Sequence, residues 1–368
     1  MSEPVRLIAP QLLRDQTAAV LRRWGMDESK IAITSDLMIE TDLRGIESHG
    51  ISMLILYDQM YAAGQLRLSA EPRIVRDRAS TALIDAGAGL GHPVSVMAMQ
   101  MAIDKAKQSD VGIVSVFNSH HFGAAGLYAE MAAKEGLIGI VSCSTKLMTV
   151  VPTLGGERVL GTNPFAFAAR SRRHPIVLLD MSTSIVAANK VKAYALNGKD
   201  IPAGWVSDPA GQALTDAQAA YRLLFEGSGG GLSPIGGVGT LTGGHKGYGL
   251  GLFAQILSST LGGGSFSPIR EKSRQSGDGD NIGQFFQAIN PAAFRPLDEF
   301  EADLDDMIDL LRSTRPADPA QPVLIPGDPE WRAREERLRN GIPISDSLAA
   351  RIAEIARRAG AEYLLDKA

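Results

Sequence analysis

The sequence predicts an α/β protein with helical segments at both chain ends. Three observations carry this. Between residues 81 and 143 apolar strand-like runs alternate with helix-length segments, the order that a sheet layered with helices requires. The first seventy or so residues carry leucine, isoleucine and valine at helical spacing. The last seventy return to helices with an apolar face and a charged one.

Taken in order, helices are expected from Pro10 to Trp24, from an N-cap at Asp27 to about Asp42, and from Ser52 to Ala63, stopped by Gly64. The edge of this unit falls near Glu71 and Pro72. Thr81–Asp85 is a short strand, and Pro93 suits the first turn of a helix reaching Gln108. Val111–Phe117 and Leu137–Cys143 are apolar, β-branched runs typical of buried strands, with a helix from about Leu127 to Glu135 between them. FAFAA after Pro164 and IVLLDM from Ile176 read as further strands. A glycine-rich stretch, residues 226–244, leads into an apolar helix from Tyr248 to Leu261. Residues 262–281 lack periodicity and read as a mobile loop over the site. A strand from Ile282 and three charged helices finish the chain. The expected domains are residues 1–72, completed by 296–368, and an α/β unit of residues 73–295.

Composition narrows the function. The 368 residues suggest about two domains of ~150 residues each. A net charge of -4 favours neither nucleic acid nor an anionic membrane as partner. The single cysteine, Cys143, rules out an intramolecular disulfide or a cysteine metal cluster. The opening stretch lacks the apolar core of a signal peptide, and no apolar run reaches the ~20 residues of a membrane span. The expected setting is the cytoplasm.

Chemistry concentrates in Thr41–Tyr57, which gathers Asp42, Arg44, Glu47, Ser48, His49 and Tyr57 in one short segment. Imidazole suits proton delivery near neutral pH to a carbonyl or imine being reduced, and Ser48 can hydrogen-bond a substrate oxygen. The bland alternative is a capped helix end with His49 as an ordinary turn residue. GAGLG, Gly87–Gly91, matches a dinucleotide-binding turn only in part, because His92 stands where the last glycine belongs, so a tight turn is the preferred reading. NSHHFGAAG, Asn118–Gly126, ends a buried strand, where open α/β sheets place ligands, and its glycines would let a phosphate approach the next helix. His120 and His121 point to opposite sides of an extended chain, so only one faces a given site. No spacing supports a metal site. Asp180 in LLDMSTS could bind a ribose or cap a turn, and His245 with Lys246 offers an anion site at a helix start. RSRRH, Arg170–His174, could meet a phosphate, but a solvated turn is preferred.

Together DLRGIESHG, NSHHFGAAG, LGTNPFAFAA, LLDMSTS, HKGYGLGL, GQFFQAINP and PGDPEWRAREERLRNGI resemble the non-Rossmann malate/L-lactate dehydrogenase family, in order from about residue 8 to 345. That family includes ureidoglycolate and sulfolactate dehydrogenases, diketogulonate reductases and cyclic-imine reductases. The resemblance implies an unusual non-Rossmann NAD(P)-binding sheet domain and a helical domain built from both chain ends. It also implies a homodimer with NAD or NADP as cofactor and a small carboxylic acid as substrate. Hydride would pass between nicotinamide and a 2-oxo or 2-hydroxy acid. A cyclic imine acid, or a ureido- or sulfo-hydroxy acid, is the alternative. His49 falls on the family's proton donor, Ser48 and Tyr57 on residues lining the substrate, and His121 on a second proposed catalytic histidine. Positions matching cofactor contacts are Thr145, Asp180, Met181, Ser182, Thr183, Ser184, His245, Lys246, Gly327, Asp328 and Pro329. Met53 departs from the pattern. Many members carry there an arginine that pairs with the substrate carboxylate, a bond methionine cannot make. Arg44 or Lys146 would have to replace it, or the substrate differs.

Overall fold

The structure is a computed structural model and describes residues 4–270, 275 and 278–367. Both chain ends build one core. Helix α1 (Pro10–Arg23) begins on its proline, and α2 (Glu28–Leu43) follows Asp27. Asp27 stands at the N-cap, but its carboxylate takes Lys30 Nζ at 3.0 Å and not a backbone N–H. Two short 3-10 turns, Glu47–His49 and Ile51–Met53, precede α3 (Leu54–Ala62), which therefore starts later than its sequence pattern predicts. Strand β1 (Val5–Ile8) pairs antiparallel with β12 (Ile342–Ser345), tying the ends of the chain together. Helix α12 (Asp346–Ala359) then lays Ala349, Ile352, Ile355 and Ala356 against Leu13, Val20, Met38, Leu54 and Tyr57.

The second core lies on a seven-stranded sheet. Its strands are β2 (Arg73–Asp77), β3 (Thr81–Asp85), β4 (Val111–Ser119), β5 (Ile138–Cys143), β6 (Phe165–Ala169), β7 (Val177–Met181) and β11 (Ile282–Ile289), in the order β2-β3-β4-β11-β5-β6-β7. Only β3 and β4 pair in parallel. β4 and β5 run the same way but are held apart by β11, which bonds antiparallel to both. Helices α4 (Gly91–Ser109) and α5 (Gly126–Lys134) cover one face. They come close because alanines face the sheet and because Gly112 and Gly139 have no side chain. A Cβ at either glycine would overlap the Ala102 or Ala129 carbonyl. Helix α8 (Gly244–Gln255) runs on into a π-helical turn, Ile256–Thr260, against β11, β4 and β5.

A third cluster, which sequence analysis leaves inside residues 73–295, is built from α6 (Ala188–Leu196), β8 (Val206–Ser207), β9 (Ala213–Leu214), α7 (Ala217–Phe225) and β10 (Gly231–Leu232). Asp216 caps α7, taking the N–H groups of Gln218 and Ala219 at 2.8 and 3.1 Å. A short α9 (Ser267–Arg270) lies within the expected mobile loop, of which residues 271–274 and 276–277 fall outside the described residues. Helix α10 (Leu297–Ser313) reaches back to the sheet through Glu301, which pairs with Arg170 at 2.7 Å. Helix α11 (Asp328–Asn340) meets α2, with Arg334 Nε 2.7 Å from Glu40. Among the described residues no helix is long and apolar enough to cross a membrane.

Candidate active site

The end of α2 and the start of α3 hold the residues on which the sequence argument turns. Asp42 is buried, and its carboxylate accepts the Ile51 N–H at 2.7 Å. Gly50 lies directly over it, and any Cβ there would overlap the carboxylate. Arg337 of α11 donates to the Asp42 carbonyl at 2.5 Å and pairs with Glu47. The turn carrying Ser48 and His49 is thus held from beneath by Asp42 and from the side by α11. Burial pushes the Asp42 carboxyl up to about 7, against the Ile51 hydrogen bond.

His49 is half-buried, and its Nδ1 lies 2.8 Å from the exposed Ser48 hydroxyl. Burial holds its proton affinity below the ordinary histidine range. Its ring centre is 5.3 Å from that of His121, which arrives from the loop after β4. His121 Nδ1 receives the Tyr57 hydroxyl at 2.7 Å and the Gly123 N–H at 3.3 Å. Burial, with His49 and His92 nearby, holds His121 well below the usual value. The structure therefore brings Ser48, His49, Tyr57 and His121 together. Tyr57 has a relative exposure of 0%, so it lies under His121 where the resemblance would have it line the substrate. His120 turns the other way, with Nδ1 3.2 Å from Asp280 and Nε2 2.9 Å from the Gln65 carbonyl.

Sequence reasoning missed His92. It opens α4 and is fully buried, with its ring centre 6.1 Å from Tyr57 and 6.4 Å from His121. Neither ring nitrogen has a hydrogen-bond partner among the described residues, and burial with the nearby His49 drives its proton affinity down to about 3. A buried orphan of this kind costs about 1–3 kcal/mol unless water or a bound molecule reaches it. The only sequence signal was a histidine in a glycine's place. The Gly87–Gly91 stretch itself turns tightly, with φ of +63° at Gly87, and Gly91 abuts the His120 and His121 carbonyls. Those glycines seat the histidine loop.

Arg44 and Lys146 differ sharply. Arg44 is buried, bonded to Glu40 at 2.9 Å and Glu130 at 2.6 Å, and stacked over Trp331 with 4.6 Å to the ring centre. Lys146, just past β5, keeps about a third of its side chain exposed and pairs with Asp280 at 2.8 Å. Burial tends to raise the Asp280 carboxyl, but the bonds from His120 and Lys146 prevail and hold it at about 2.

The cofactor positions form two groups. Asp180, at the end of β7, accepts the Gly126 N–H at 2.7 Å, so a carboxylate already occupies the N-terminus of α5 where sequence analysis allowed a phosphate. Burial raises that carboxyl to about 6. Gly327, Asp328 and Pro329 start α11 beside β7, where Leu178 N–H meets the Pro326 carbonyl at 3.0 Å. In the second group, Thr183 bonds the Thr162 carbonyl at 3.0 Å, and Ser182 and Ser184 close their own turn. Met181 ends β7, and exposed His245 and Lys246 begin α8. Thr145 Oγ1 and Asn163 Oδ1 are buried and unpartnered among the described residues. They flank Gly161, where a Cβ would overlap Thr145 Oγ1. Orphaned polar atoms beside a side-chain-free cradle fit a carboxamide or ribose of a nicotinamide dinucleotide. In RSRRH, Arg173 is committed to Asp305, Asp306 and Asp309, with N···O distances of 2.9–3.3 Å. Among the described residues no group of three or more metal-ligating side chains is assembled.

The model of the malate/L-lactate dehydrogenase family matches residues 8–353. A malate dehydrogenase of Pyrococcus horikoshii is 41% identical over 345 residues, 94% of this chain and 93% of that one. An L-sulfolactate dehydrogenase of Methanocaldococcus jannaschii is 32% identical over 354 residues, 96% of this chain and 97% of that one. The crystal structure of malate dehydrogenase from Entamoeba histolytica superposes with a TM-score of 0.91 at 31% identity, covering 98% of this chain and 99% of that one.

Proposed function

Because the chain belongs to the malate/L-lactate dehydrogenase family, and so is an oxidoreductase of hydroxy acids, we propose that it interconverts a malate-like 2-hydroxy acid and its 2-oxo acid, with His49 exchanging the proton. The observation that carries this is the facing pair of imidazoles. His49 and His121 are each tied back through Nδ1, and each leaves Nε2 without a partner among the described residues. A nicotinamide cofactor, when bound, takes or supplies the hydride at C2 of the acid. Thr145, Asn163, Thr183, His245 and Lys246 are the side chains we assign to hold it, with Asp180 and the Gly327–Pro329 turn at the other group.

In oxidation His49 Nε2 receives the hydroxyl proton, and His49 Nδ1–H rests on Ser48 Oγ. In reduction the proton returns to the developing alkoxide. Burial favours the neutral imidazole, the form that accepts a proton. For the substrate carboxylate we assign Lys146, whose ammonium has three protons and gives one to Asp280. Arg44 is already committed to two carboxylates and a ring. At the RSRRH turn Arg170 and Arg173 are paired with carboxylates, while the exposed Arg172 side chain has no partner among the described residues and could meet a 2'-phosphate, so both coenzymes belong in the assay. A homodimer in the cytoplasm completes the proposal. In its support, Leu250, Phe253 and Ile256 leave one face of α8 and the following turn apolar and exposed.

The test is His49→Ala. Turnover should fall by about 10²–10⁴-fold, the usual worth of a positioned general acid–base, while cofactor affinity stays within about threefold. Full turnover in that variant would refute the assignment.

A further inference from the structure

Two donors converge on one atom of His121. The Tyr57 hydroxyl reaches Nδ1 at 2.7 Å and the Gly123 N–H reaches it at 3.3 Å. A backbone N–H can only donate, so Nδ1 must present its lone pair, and the Tyr57 hydroxyl must donate as well. In a neutral imidazole the ring proton is then on Nε2. Adding a proton to Nδ1 would set it against the Gly123 N–H, which can only donate, and would leave the Tyr57 hydroxyl proton without its acceptor in a fully buried place. The rings facing it bring no negative charge that would support a cation. They are His49 at 5.3 Å, His92 at 6.4 Å and the neutral Tyr57 at 5.9 Å, all between ring centres. His121 Nε2 has no partner among the described residues, on the ring that faces His49.

We infer that Tyr57 and Gly123 lock His121 as its Nε2–H tautomer, a neutral donor that hydrogen-bonds the substrate oxygen but keeps its proton, so that His49 alone exchanges one. This rests on the oxidoreductase reading above. With the C2–H electron pair leaving to the cofactor, the hydroxyl O–H bond breaks and its proton passes to His49 Nε2. The carbonyl oxygen that results stays bonded to His121 Nε2–H. In the reverse direction the same bond polarises the carbonyl before the proton arrives from His49. A neutral imidazole has no vacant site at Nε2 and no free lone pair at Nδ1, so it cannot serve as base. Tyr57 is then a positioning residue. It is sealed beneath His121 and acts through it.

The experiment uses the full chain with 13C- and 15N-labelled histidine. The six histidines are few enough to assign, and His121 is identified by the resonance missing from His121→Asn. The inference predicts one Nε2–H tautomer for His121, unchanged from pH 5 to pH 8, and partial loss of that tautomer or a new titration in Tyr57→Phe. An Nδ1–H tautomer, or titration of His121 in the unmodified protein, would overturn it. Activity gives a second reading. His121→Ala should lose about 10²–10³-fold in kcat, the cost of one preorganised donor. His121→Gln, whose amide donates but cannot carry a proton, should recover at least about tenfold of that loss, with the wild-type pH profile. A glutamine variant as slow as the alanine variant would show that His121 moves a proton. If the protein turned over no hydroxy acid, the tautomer result would still stand, so failure of the functional reading shows separately.

Discussion

Replacing Asp42 with asparagine should make stability less sensitive to pH. The carboxyl ionises near 3.8 in the unfolded chain and near 7 in the folded one, because it is buried under Gly50 with one N–H for company. Between those pH values the folded state holds a proton that the unfolded state has lost, so stability falls as pH rises, and the loss is complete above 7. At ~1.36 kcal/mol per unit, wild type gives up roughly 1.6 kcal/mol by pH 5 and about 4 kcal/mol by pH 8, relative to a neutral isostere. Asparagine keeps an oxygen for the Ile51 N–H and has no charge to bury. The variant should therefore gain about 3 kcal/mol on wild type between pH 5 and pH 8. With an unfolding entropy of ~2.1 cal/mol/K per residue, that gain is a relative Tm shift of about 4 °C for a chain of 368 residues. Calorimetry of both proteins at the two pH values measures it. A Tm difference that does not move with pH would show that Asp42 is not held protonated and would remove the account of the turn it supports.

The other perturbations test separate parts of the site. Gly50→Ala places a methyl group against the Asp42 carboxylate and should destabilise the turn by about 1–3 kcal/mol, seen as a lower Tm and a larger fall in kcat than in cofactor affinity. Lys146→Met should raise KM for the acid by about 10–100-fold with a smaller change in kcat, since it removes a charge-assisted bond to the carboxylate; an unchanged KM would reassign that role. Arg44→Met leaves buried Glu130 with only the largely exposed Lys134, at 3.0 Å, and should cost up to about 3 kcal/mol in urea unfolding.

The sequence carried the local elements well because periodicity is a local property. Most helix bounds and the buried strands β4, β5 and β11 match their patterns to within a few residues. What it could not carry is non-local. Val5–Ile8 pairs with a strand more than three hundred residues away, and nothing within four residues announces that partner. The place of β11 between β4 and β5 is equally invisible, since each strand reads as buried whatever its neighbour. At the site, residue chemistry alone pointed to the Ser48–His49 turn, while Tyr57 and His121 came through family resemblance. The resemblance set Tyr57 among residues lining the substrate; that its hydroxyl meets His121 is a non-local contact that no local pattern announces. His92 escaped notice because a histidine at a helix start looks like any polar residue until the third imidazole is beside it. The side chain of Met53, the departure that raised the question of the carboxylate partner, packs partly buried against the helical core.

The central claim is reversible oxidation of a small 2-hydroxy acid, and the most direct measurement is absorbance of the reduced nicotinamide. The purified protein would be tested with NADH and NADPH, each against oxaloacetate, pyruvate, sulfopyruvate and a cyclic imine acid. The account predicts consumption with oxaloacetate or another 2-oxo acid, production of the same absorbance with the matching hydroxy acid, and loss of both in His49→Ala. Turnover of the cyclic imine acid alone, or no dependence on His49, would contradict it.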